Sequence, residues 1–196
     1  RVGQPYDRKD AREKVTGQAV YTYDLELPGM LHARCLLSPY ARAKIVSIDT
    51  SKAKALPGVR VVLTGEDSDI LVGLYMQDKR VLSKGETRYQ GDVVAAVAAD
   101  DEETAERAVS LLEVVYEPLE PVHNVDEALE GKILVHDDIN DLKHYVDVFF
   151  PQKDSNIASW NKSKKGDLDK AFAEADLVVE NEFSLPAVAH VPMETH

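Results

Sequence analysis

The alternation of apolar and polar positions is clearest in residues 86–121, ETRYQGDVVAAVAADDEETAERAVSLLEVVYEPLEP. Residues 93–99 are an unbroken apolar run led by Gly91 and rich in small side chains, the pattern of a strand covered on both faces. Ala105, Ala108, Val109 and Leu112 then recur at helical spacing, while Glu102, Glu103, Glu106, Arg107 and Ser110 fall elsewhere, which predicts an amphipathic helix. Asp100 or Asp101 is placed to cap it, since a carboxylate accepts from the first free N–H groups. Glu102 and Glu103 suit the positive end of the helix dipole. Residues 113–116 are β-branched or aromatic and predict a strand, ended by Pro118 and Pro121. A helix of about eleven residues is marginal alone in water, so this one requires a sheet beneath it.

Around that unit the pattern is shorter-ranged. Residues 1–17 are polar, with Gly3, Pro5 and Gly17, and predict an extended arm or lead-in strand. Residues 30–37 alternate, Leu31, Ala33, Cys35 and Leu37 against His32, Arg34 and Leu36, which predicts a half-buried strand. A second strand is expected at 44–48, a short helix at 51–56 capped by Asp49 or Thr50, and a third strand at 60–64. Residues 70–84 give mixed signals and predict a loop with a short strand at 80–82. Asn124 and Gly131 bracket a helix at 125–130. Residues 135–166 carry no sustained period, and a structureless run that long marks the passage to a second unit. That unit is expected to open with Asp167 capping a helix at 168–175, followed by a strand at 176–183.

Composition narrows the classes of function. The 196 residues carry a net charge of −12, and 44% are hydrophobic and 30% charged, as in an ordinary soluble globular protein. The acidic balance argues against a nucleic-acid or anionic-membrane surface, since both are polyanions. No apolar run reaches the roughly 20 residues of a membrane helix, and RVGQPYDRKD is no signal peptide, so a cytoplasmic location is expected. The single cysteine, Cys35, excludes an internal disulfide and any multi-cysteine metal or iron–sulfur site built by this chain alone. There is no initiator methionine, and the chain stops at His196 inside the motif HVPMETH, which predicts a fragment.

Local chemistry is sparse. His136, Asp137, Asp138, Asp141 and His144 are divalent-metal ligand types, but they lack the spacing of a calcium loop or a zinc helix and read as a solvated acidic loop. His32 and Cys35 are three apart, so the strand period puts them on opposite faces and disfavours a Cys/His dyad. Gly85 and Gly91 do not make a phosphate loop, and no G-x-S-x-G elbow is present. The basic run 161–165 reads as a solvated loop able to meet an acidic partner. The residues alone therefore describe an acidic α+β protein with no self-contained active site.

Several blocks in order say more. KVTGQAVYTYDLELPGMLHA, SPYARAKI, ALPGV, RYQGDVVAAVAA, EVVYEPLEPV, GDLDKAF with ADLVVE, and HVPMETH span nearly the whole chain. Together they resemble the N-terminal part of the large, molybdenum-binding subunit of the xanthine dehydrogenase and aldehyde oxidase family. The resemblance implies an α+β fold, with an a/b hammerhead domain and N-terminal arm over 1–134, then a linker and the truncated beginning of the first molybdopterin-binding domain over 135–196. It implies a parent enzyme that hydroxylates an aldehyde or N-heteroaromatic ring with oxygen from water. Electrons would pass to 2Fe-2S clusters and usually FAD, held by partner domains or subunits in an oligomeric parent.

The family's glycine-rich cofactor loops and catalytic glutamate would lie beyond His196. No catalytic, cofactor-binding or metal residue is therefore carried over, no cofactor is expected on this stretch alone, and Glu194, Thr195 and His196 read as structural. Thr195, where many members have proline, leans toward the purine-oxidising branch. The family usually reads RYVGEPVA where this chain has Arg88 to Ala95 as RYQGDVVA, and often has histidine where Arg42 stands. The rival readings are a free-standing binding or assembly module with a hammerhead fold, and a metal-dependent hydrolase using His136 to His144.

Overall fold

The computed structural model describes residues 2–136, 139, 142, 152–186 and 188–191. Residues 31–165 form one compact unit, and 1–30 with 166–196 form another. In the first, strands β1 (His32–Leu37), β3 (Val59–Thr64) and β7 (Val93–Ala99) make an antiparallel sheet in the order β1-β7-β3. A second antiparallel sheet has the order β6-β2-β8, from β6 (Glu86–Thr87), β2 (Ala43–Asp49) and β8 (Glu113–Pro118). A two-stranded ladder joins β4 (Leu71–Val72) to β5 (Lys79–Arg80). Helices α2 (Ser51–Ala55), α3 (Glu102–Ser110) and α4 (Val125–Glu130) complete this unit.

The hydrophobic core lies between the first sheet and its two helices. Val62, Ala95 and Val97 on the sheet meet Ala53 of α2, Ala108 of α3 and Leu112, with Leu36, Leu56, Val59, Val109 and Leu111 packed around them. Alanine at 53, 95 and 108 brings the helix backbones close to the sheet, where larger side chains would hold them off. The predicted helix face is the one buried: Ala105 and Ala108 are fully covered and Leu112 nearly so. Asp101 caps α3, its Oδ1 accepting from the Thr104 N–H at 2.7 Å. Asn124 caps α4 by accepting from the Glu127 N–H at 2.9 Å, and Gly131 closes that helix at φ 67°, a left-handed conformation that glycine adopts without strain.

Four expectations are corrected. The lead-in arm contains a helix, α1 (Ala11–Thr16), because its polar residues still make one helical turn that Gly17 terminates. The loop at 70–84 contains the β4–β5 ladder, too short to leave a period in the sequence. Residues 176–183 pair with no strand among the described residues, so an alternating pattern is present without the ladder that makes it a strand. The run 93–99 is the central strand of a two-layer arrangement. Its Ala95 and Val97 are sealed under the helices and Val94 and Ala99 are buried too, whereas Ala96 and Ala98 on the reverse face are half-buried.

Two further features had no local signal. The strand, helix and strand at 93–118 do not share a sheet: α3 carries the chain from the first sheet to β8 in the second. On β1 the covered face is that of His32, Arg34 and Leu36, while Ala33, Cys35 and Leu37 are exposed. Cross-strand pairing aligns Ala33 with Ala98 and Val61, and Cys35 with Ala96 and Leu63, giving an apolar reverse face with no covering layer among the described residues. In the other unit α5 (Leu168–Glu174) is capped by Asp167 as expected. No helix among the described residues is long and apolar enough to cross a membrane.

Candidate functional site

A polar constellation surrounds the turn 88–92, RYQGD, which leads into the central strand. Asp92 is buried, and its Oδ2 accepts from the Arg88 N–H at 3.1 Å while its own N–H donates to the Tyr89 carbonyl at 3.2 Å. Gly91, at φ 91°, donates its N–H to the Ser38 carbonyl, and the Ser38 N–H returns to the Asp92 carbonyl at 2.8 Å. Only a residue at ease with positive φ turns the chain there. Beside it Ser38 Oγ and Thr87 Oγ1, both buried, lie 3.1 Å apart, so the turn rests on a satisfied polar base.

This turn forms one wall of a cleft of about 250 Å³ lined by Asp78, Lys79, Arg88, Tyr89, Asp92, Val135 and His136. The Lys79 ammonium lies 5.0 Å from the centre of the Tyr89 ring. Its hydrogen bond with Tyr89 raises its pKa above the ordinary lysine value, and the charges of Asp92 and Asp78 act in the same direction. His136 Nε2 is 3.7 Å from Asp78 Oδ2. Arg88 Nε donates to the Val135 carbonyl at 2.9 Å. The cleft thus balances carboxylates against cations, an arrangement that fastens segments together.

Asn156 completes the fastening. Its Oδ1 accepts from the Val135 N–H at 2.8 Å, and its Nδ2 donates to the carbonyls of Ile133 at 2.8 Å and Ala128 at 3.0 Å. One acceptor and two donors on a short planar group is what a carboxamide supplies and a carboxylate or hydroxyl does not. Nothing local announces this role, because the partners of Asn156 are 21, 23 and 28 residues away.

A second cleft, of about 350 Å³, runs between β2 at Ile45 to Ile48 and the segments 64–67 and 83–85. Lys84 there bonds Asp69 at 3.2 Å and pairs with Glu66 at 3.3 Å, which raises its pKa. The Thr64 N–H and hydroxyl lower that of Asp67.

Of the residues singled out in the sequence, His136 lines the first cleft, while Asp137, Asp138, Asp141 and His144 lie outside the described residues. Among the described residues no three His, Cys, Asp or Glu side chains are grouped to hold a metal ion. His32 and Cys35 occupy opposite faces of β1. The 161–165 run is exposed, with Asn161 Nδ2 bonded to Ser159 Oγ at 3.1 Å. Gly85 accepts from the Ile45 N–H, a strand-edge contact. Glu194, Thr195 and His196 also lie outside the described residues.

Comparison with known proteins supplies what the geometry does not. Residues 16–120 match the family model described as aldehyde oxidase and xanthine dehydrogenase, a/b hammerhead domain, and residues 149–196 match that of a molybdopterin cofactor-binding domain. The chain is 38% identical over 191 residues to a probable xanthine dehydrogenase subunit of Bacillus subtilis, covering 96% of this chain and 24% of that protein. It is 34% identical to the 6-hydroxypseudooxynicotine dehydrogenase complex subunit gamma of Paenarthrobacter nicotinovorans, covering 98% and 24%. Quinoline 2-oxidoreductase from Pseudomonas putida 86 superposes with a TM-score of 0.78 at 34% identity, over 98% of this chain and 24% of that one. The chain therefore spans about a quarter of the length of each of these three proteins.

Proposed function

This chain belongs to the aldehyde oxidase and xanthine dehydrogenase family of molybdenum oxidoreductases, and from that membership we propose that it supplies the hammerhead domain, 1–134, and the opening segment of a molybdopterin-binding domain, 135–196, to a larger hydroxylase. The observation that carries the reading is the pair of family matches, in order, on one chain. The mixed helices and sheets are those of the family's solved members.

The described residues do not fit the cofactor itself. A pterin phosphate needs backbone N–H groups approached closely at glycine, and the two glycines with no room for a Cβ, Gly65 and Gly73, face the carbonyls of Ser83 and Met76 in this same chain. No step of cofactor chemistry is assigned to them. A molybdenum group held elsewhere in the parent would supply two-electron oxidation chemistry. On this reading the residues that hold the group and the catalytic base lie in polypeptide following His196, and the present residues frame them. The proposed substrate is an aldehyde or electron-poor N-heteroaromatic compound, with purines the finer reading. 2Fe-2S and FAD partners on other domains or subunits, an oligomeric parent and a cytoplasmic location complete the proposal. Two of the relatives are themselves named as subunits, one of them of a dehydrogenase complex, which supports a multi-part assembly.

The test is the molybdenum content of the intact gene product, purified from its source and measured by elemental mass spectrometry. About one molybdenum per polypeptide is expected. None, in cells that make the cofactor, would leave the hammerhead as a recruited binding module and end the proposal.

A further inference from the structure

We propose that Arg88 and Asn156 form a clasp that fastens the start of the molybdopterin-binding segment to the hammerhead domain through the single residue Val135. The join between the two is then held in one geometry and does not act as a free linker. The clasp depends on the proposed function only for the identity of the two segments.

The connection can be followed bond by bond. Asp92, at the root of the central strand β7, holds the Arg88 N–H at 3.1 Å. The Arg88 side chain takes the carbonyl of Val135 at 2.9 Å, and Asn156 takes the N–H of the same residue at 2.8 Å. Two further bonds from Asn156, to Ile133 and Ala128, tie the exit from α4 into the same knot. Asp92 and Arg88 lie in the first family match and Asn156 in the second, while Ala128, Ile133 and Val135 lie between the matches. Hydrogen bonds thus run without a gap from the root of a buried strand, across the connecting stretch, to the second segment. The Val135 residue has both backbone groups satisfied by side chains, so neither arm of the clasp is redundant.

The chemistry at 156 is specific. Aspartate at that position would keep the acceptor for Val135 but set a carboxylate against the carbonyls of Ile133 and Ala128. Alanine would free all three partners. Either change releases the same short segment, as does loss of the Arg88 guanidinium, so the effects of the two positions are coupled.

The experiment is amide hydrogen exchange by mass spectrometry on the intact gene product, comparing the parent with Asn156→Ala, Arg88→Met, the double variant and Asn161→Ala as a loop control. Asn156→Asp, equal in size to the parent, is read if the alanine variant does not fold. The clasp predicts that each single variant speeds exchange in peptides spanning 131–135 by about tenfold or more. The double variant should stay within about twofold of the faster single. Peptides of β7 and the Asn161→Ala control should be unchanged. Exchange at 131–135 within about twofold of the parent in both single variants, multiplicative effects in the double, or equal acceleration of β7 would overturn it. The readout does not depend on molybdenum, so a metal-free protein with an intact clasp would refute the functional reading alone.

Discussion

Val97→Ala tests whether the first sheet is covered on one face only. Val97 is 1% exposed at the centre of that sheet, paired with Arg34 of β1 and Val62 of β3, beneath the helices. The substitution removes two methyl groups, a transfer loss of about 1.6 kcal/mol at about 0.8 kcal/mol each. The residual cavity, at most about 40 Å³, adds about 1 kcal/mol at about 24 cal/mol per Å³. The expected cost is thus about 2.5 kcal/mol, or about 5–10 °C in Tm for a chain of this size. Val61 is the control: it pairs with Ala98 on the reverse face and is 41% exposed. There the same chemical change should cost less than about 1 kcal/mol. Urea unfolding followed by circular dichroism would measure both, with an unchanged m-value required for the comparison. Costs for Val97→Ala and Val61→Ala within about 0.5 kcal/mol of each other would refute the one-sided core.

Two further outcomes follow from the same structure. The Thr104 N–H and hydroxyl hold the Asp101 carboxyl below its ordinary pKa, with a smaller contribution from His32. A carboxylate with a depressed folded pKa stabilises fully above its unfolded value, near pH 4, and loses that contribution as pH falls through the folded value. The melting temperature of the parent should therefore fall more steeply in acid than that of Asp101→Asn, and parallel curves would contradict the cap. Cys35 is exposed on the reverse face of β1, so a thiol reagent should label this chain stoichiometrically without denaturant; labelling only after unfolding would mean that face is covered.

The fold was readable where the signal is local. The strand at 93–99, the start of α3 and the whole of α4 stand where periodicity and caps put them, since Asp101, Asn124 and Asp167 each bond an N–H three residues on. Readability failed where the deciding partner is remote. The β4–β5 ladder is two residues a side, below any period. The alternation at 176–183 is real, yet a strand also needs a neighbour, and none pairs with it among the described residues. The polar cleft follows the same rule. Arg88 and Gly91 were visible within a motif, but their meaning depends on Val135 and on Asn156, a residue no pattern distinguishes.

By itself the amino-acid order determined the helix and strand types of the central stretch, their caps, the acidic α+β character and the family. Each depends on chemistry within a turn or two of chain, or on motif blocks in series. Tertiary structure alone decided that β7 and β8 lie in different sheets, that His32, Arg34 and Leu36 form the covered face of β1, and that the passage after α4 is clasped at Val135. The physical reason is that a strand offers two faces and two edges of nearly equal merit to its own sequence. The choice falls to whichever distant segment buries the face or completes the hydrogen bonds.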